Sequence, residues 1–102
     1  MDLAKELREL QAEYDQATRE HADKRATFES TSKAYDARRR YAPSGAETAS
    51  ARAAWALAGQ EWLAALIARE TLRDRVRSER RTVDEDANNR LLTPTRPSRP
   101  GP

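Results

Sequence analysis

The chain has 102 residues, enough for one small domain, of which 37% are hydrophobic and 35% charged, with a net charge of only +2. It has no cysteine and 3 glycines, which excludes a disulfide framework and thiolate chemistry and leaves the redox compartment open. β-Branched and aromatic residues are too sparse for strands, so the composition is that of long exposed helices packed through a narrow apolar stripe. Arginine far outnumbers lysine, a bias that fits a GC-rich genome, either an actinobacterial or similar host or a phage of one.

From Leu3 the apolar positions step by four and three. Leu7, Tyr14, His21, Phe28 and Tyr35 fall at a of a heptad, and Leu3, Leu10, Ala17, Lys24 and Thr31 at d. Asp2 is placed to cap this helix, and Arg38, Arg39 and Arg40 sit where the helix dipole favours cations. The first helix is expected over about 2–41. Pro43 then ends it, because the residue before a proline is driven out of helical backbone. Ser44 followed by Glu47 reads as a capping box that starts a second helix at about 45, leaving a turn over about 42–44.

The second helix, expected over about 45–89 with fraying at Asn88-Asn89, holds the most apolar stretch of the chain, Ala53 to Ala68. Trp55, Trp62, Arg69, Val76 and Val83 fall at a, with Ala58, Ala65, Leu72 and Glu79 at d. Arg52, Gln60 and Glu61 interrupt the run, so it reads as a packed helix and not a membrane span. Residues 93–102 hold four of the five prolines and read as a disordered, Pro- and Arg-rich tail. The tail includes Pro94-x-x-Pro97-x-Arg99, a pattern that aromatic-groove domains bind as a polyproline helix.

A short loop makes the helices antiparallel. With the turn centred at Pro43, facing residues are equidistant from it: Leu3 with Val83, Leu10 with Val76, Tyr14 with Leu72, His21 with Ala65, Phe28 with Ala58. Nearly every large residue then opposes a small one, or two aliphatics meet, as close packing requires. The expected fold is all-α, an antiparallel coiled-coil hairpin with a left-handed supercoil. Two helices bury little by themselves, so completion to a four-helix bundle by dimerisation or by a partner is expected.

The seam comprises Leu3, Leu7, Leu10, Tyr14, Phe28, Tyr35, Trp55, Trp62, Leu72, Val76 and Val83. Leu57, Leu63 and Ile67 fall outside it and Leu66 flanks it, which makes these four the candidate partner-binding residues. His21, the single histidine, lacks companions for a metal site and a nucleophile for catalysis. It reads as a polar seam residue that fixes register, with a charge state that tunes stability near neutral pH. Lys24 is expected to pack its stem on Trp62, with Glu20 or Glu70 as carboxylates for Lys24 or Arg69 across the seam. No phosphate loop, paired-carboxylate site or nucleophile elbow is present, so no catalytic, cofactor or metal residue is assigned and no small-molecule substrate or membrane contact is expected.

The function expected is a non-enzymatic protein–protein interaction or assembly module, structural or adaptor in kind, that forms a homo-oligomer or docks on another protein through the apolar surface of helix two. The alternative is a nucleic-acid-associated helical protein using the Arg-rich tip (Arg38, Arg39, Arg40 and Arg52) or the Arg73–Arg81 face. The N-terminus is charged and amphipathic, unlike a signal peptide, which points to the cytoplasm or a phage particle. In length and mid-chain turn the layout is similar to the Trp-x-Gly hairpin family of specialised-secretion substrates. Pro43-Ser44-Gly45 stands where that family has Trp-x-Gly, and its C-terminal Tyr-x-x-x-acidic signal is missing, so the resemblance is one of shape.

Overall fold

The structure is a computed structural model that describes residues 2–92. The tail expected over 93–102, with its Pro94-x-x-Pro97 pattern, lies outside the described residues. Two helices account for nearly all of the rest: α1, Leu3–Tyr41, and α2, Ala46–Leu92. At 1.5 Å per residue they are roughly 60 and 70 Å long. Among the described residues there is no strand.

Each end of α1 is closed by the chemistry its sequence supplies. The Asp2 carboxylate accepts the Lys5 amide at 3.1 Å, satisfying a donor of the first turn. At the other end Ala42, ahead of Pro43, has φ −150° and ψ 79° while its amide still donates to the Arg38 carbonyl at 2.8 Å. The turn is fastened by a residue the heptad reading passed over. Thr48, one heptad before Trp55, is buried, and its hydroxyl donates to the Ala42 carbonyl with the Arg38 carbonyl 3.4 Å away. Glu47 does not close a box with Ser44. Its carboxylate reaches across the turn to Arg38, tying the two helices at the tip. At the far end α2 continues past Asn88-Asn89 to Leu92.

The helices run antiparallel, with their contacts centred close to Pro43. The Lys24–Glu61 ion pair, the approach of Phe28 to Gly59 and the Arg38–Glu47 pair are each centred within about one residue of it. Leu10, Ala17, Ala58 and Val76 form the buried apolar core, joined by His21 and Thr48. The remaining seam residues, Leu3, Leu7, Tyr14, Phe28, Tyr35, Trp55, Trp62, Leu72 and Val83, are half-buried. That is the limit for a pair of helices, which covers each seam residue from one side only.

Between the turn and mid-seam, rings alternate from helix to helix. Tyr35 stacks on Trp55 with centroids 5.4 Å apart, Trp55 on Phe28 at 6.3 Å, and Phe28 on Trp62 at 5.2 Å. His21 follows, tilted against Trp62 at 6.1 Å. The spacing follows from the register. An a residue of one helix faces the midpoint between two a residues of the other, so neighbours are half a heptad, about 5 Å, apart along the axis. The large residues therefore interleave above the small residues they oppose. Each such pair adds about 0.5–1.5 kcal/mol to simple area burial.

Candidate interaction surface

The ladder ends in a polar cluster on the seam. Trp62 Nε1 donates to His21 Nε2 at 3.1 Å, which requires that nitrogen to be unprotonated. Arg69 Nη1 lies 3.4 Å from His21 Nδ1, and Arg69 Nη2 donates to Glu70 at 2.9 Å. Glu70 also pairs with Arg73, and the guanidinium of Arg69, with those of Arg73 and Arg77, holds its carboxyl below the usual 4.5 against a smaller opposing effect of desolvation. His21 thus sits between Trp62 and Arg69, bonded to the first. With Nε2 unprotonated the ring proton is on Nδ1, so the Arg69 guanidinium is a close neighbour and not a second hydrogen-bond donor to the ring. The Lys24 ammonium pairs with Glu61 at 3.3 Å, and neither Glu20 nor Glu70 is its partner. These groups knit the seam. Among the described residues no group of three or more His, Asp or Glu is placed to hold a metal ion.

The hairpin tip carries Arg38, Arg39, Arg40 and Arg52, all exposed. Arg38 is paired with Glu47 and Arg39 with Asp36, the latter guanidinium also lying 5.6 Å over the Tyr35 ring. Arg40 and Arg52 make no ion pair among the described residues. Along α2 the basic run is dispersed: Arg73 pairs with Glu70, and Arg80 donates to Gln11 of α1 at 3.4 Å.

The side of α2 turned away from α1 is different in kind. Leu57 is 56% exposed, Leu63 55% and Ile67 59%, although these are large apolar side chains. Leu63 and Ile67 are one turn apart, Leu57 lies on the far flank of the same face, and Leu66 is half-buried where that face meets the seam. The heptad explains the exposure. With a and d committed to α1, positions b, c and f point outward. Between Ala49 and Ile67 those positions hold only alanine, serine, leucine, glutamine and isoleucine, while Arg52 and Glu61 flank the seam instead. On α1 the outward positions carry Arg8, Asp15, Arg19 and Glu29, as a solvated helix requires. α2 is therefore apolar on two sides over one stretch of about 27 Å.

Among the described residues no helix is long and apolar enough to cross a membrane. Neither a family model, nor a curated protein, nor a solved structure matches the chain.

Proposed function

We propose that this protein is a non-enzymatic assembly module, a helical hairpin that associates with a second copy or with another protein through the outer face of α2. The observation that carries the reading is the uncharged outer face itself, with Leu57, Leu63 and Ile67 all more than half exposed. Fully burying such a side chain is worth roughly 1.5–3 kcal/mol, of which a partner could add about half here, before association costs are subtracted. Isolated exposed leucines need no explanation, but three on one charge-free face form the contiguous kind of patch that marks interaction sites. In a dimer the second hairpin covers this outer face, burial that a single hairpin lacks.

The nucleic-acid reading has less support. Phosphate binding needs cations gathered and available on one face, and Arg38 and Arg39 are already opposed by Glu47 and Asp36. Sedimentation velocity on the wild type and on Leu63→Glu with Ile67→Lys tests the assembly reading. The wild type should associate, and the double variant should remain helical but monomeric. A double variant that associates as the wild type does, and keeps every wild-type contact in crosslinking from host cells, overturns it.

A further inference from the structure

The outer face of α2 carries an internal symmetry in its sequence. Ala49, Ala53, Ala56, Gln60, Leu63 and Ile67 advance by four and three, a second heptad seam on the side of α2 opposite the first. Its small residues fill the N-terminal half and its large ones the C-terminal half. About residue 58 it is complementary to itself: Ala49 is symmetric with Ile67, Ala53 with Leu63, and Ala56 with Gln60. Antiparallel helices pair their two seam columns in this crossed way, one column against the other. Resting on the assembly reading above, the geometry points to a second copy of this chain as the occupant, its α2 packed antiparallel against this α2 about a two-fold axis near Ala58.

Three further features fit that occupant. Gln60, the one polar residue on the two columns, lies beside the axis, where two copies bring their amides together and each amide both donates and accepts. One buried polar residue of this kind fixes register, as it does in other coiled coils. Beyond Ile67 the next residues on the columns are Glu70, already paired within its own chain with Arg69 and Arg73, and Asp74, both acidic. The same register sets them beside Ala46 and Ala42 of the other copy, at the positive N-terminal end of α2 and next to the basic tip. Finally, the arrangement closes. The two α1 helices end up outermost, with their charged faces to solvent, so association stops at two. The result is a flat array in the order α1, α2, α2, α1, because the two seams of α2 lie on opposite sides. A single helix pair in contact over about 27 Å belongs at the small end of specific interfaces.

The chain has no cysteine of its own, which makes disulfide trapping clean. Ala53→Cys and Leu63→Cys both lie at exposed positions outside the hairpin seam and leave the fold intact. Mixed in equal amounts and oxidised, they should give mainly the 53–63 disulfide. Each alone should crosslink no better than Ala22→Cys on the outer face of α1. Efficient self-crosslinking of Ala53→Cys would mean parallel α2 helices and overturns the inference. A mixture that crosslinks no better than Ala22→Cys also overturns it, and sedimentation of the wild type then separates the cases. A dimer would show that another surface is used, which leaves the assembly reading standing. A monomer at high micromolar concentration would remove self-association altogether. Leu63→Glu should weaken dimerisation about ten-fold or more.

Discussion

A β-carbon placed on Gly59 would lie 3.1 Å from Cε1 of Phe28 and 3.5 Å from Cδ1. The Phe28 ring, stacked on Trp55 and on Trp62, crowds the space that a side chain at position 59 would take and would have to give by a few tenths of an ångström. The glycine is therefore a packing residue, since its backbone needs no special conformation and no described glycine has positive φ. In an exposed helix Gly→Ala gains about 1 kcal/mol. Here Gly59→Ala is expected to lose that gain and be net destabilising by about 0.5–1 kcal/mol, because the ring packs on both indoles. Phe28→Leu should restore the benefit of alanine at 59. Urea titrations of the two single variants and the double variant check this, and a stabilising Gly59→Ala would show that the ring is loosely held. Phe28→Ala should cost about 3 kcal/mol, the low end for phenylalanine truncation, because the ring is half-buried.

The hydrogen bond from Trp62 to His21 is the one direct link between rings of the ladder. Trp62→Phe removes the donor and His21→Leu the acceptor, so a double-mutant cycle isolates their coupling. The expected coupling is about 1 kcal/mol, the ordinary net worth of a hydrogen bond. Arg69 lies beside the same ring, so the cycle should be repeated in Arg69→Met to show whether that neighbour alters the coupling. Additivity in both backgrounds would show that the imidazole contributes only by filling space.

Much of this hairpin was legible in the chain because two independent seven-residue patterns, read either side of Pro43, agree on one register. Leu10 and Val76 both lie in the buried core as that register requires. Pairing residues by number, however, sets Phe28 against Ala58 and conceals its flanking neighbours. The stacking on Trp55 and Trp62 arises from a half-heptad stagger that a list of opposite pairs does not contain. Thr48 was missed for a different reason. It sits seven residues before Trp55, but its small polar side chain carries no apolar signal, and its role depends on carbonyls brought near by the turn. Glu47 was misread because Arg38, nine residues earlier, competes for its carboxylate across the turn. The exposed face containing Leu57, Leu63 and Ile67 was legible as what the first seam left over.

Thr48 is expected to govern how firmly the two helices close at the tip. Thr48→Val keeps the shape and β-branching but removes the donor to the Ala42 carbonyl. That carbonyl keeps only the Gly45 amide at 3.3 Å, so a loss of about 1 kcal/mol is expected. Thr48→Ala should cost more, since the buried methyl goes as well. Hydrogen exchange should localise the effect to residues 38–50. Equal stability of wild type and Thr48→Val would show that the hydroxyl is dispensable.

Glu70 gives the hairpin an acid-sensitive element of definite sign. Its carboxyl is held below the usual 4.5 chiefly by the hydrogen bond from Arg69, then by the charges of Arg73, Arg69 and Arg77, with desolvation opposing. A group whose pKa is lower folded than unfolded stabilises the fold fully above its unfolded pKa. That contribution is lost as pH falls through the folded value. Wild type should therefore be more stable than Glu70→Gln at pH 7, with the gap narrowing as pH drops below about 4.5. The gap will be modest, because the pair is partly exposed and screened by solvent. Urea midpoints measured for both proteins between pH 7 and pH 2 check this. A gap that is constant with pH would show that the Glu70 carboxylate is no better stabilised in the folded chain than in the unfolded one.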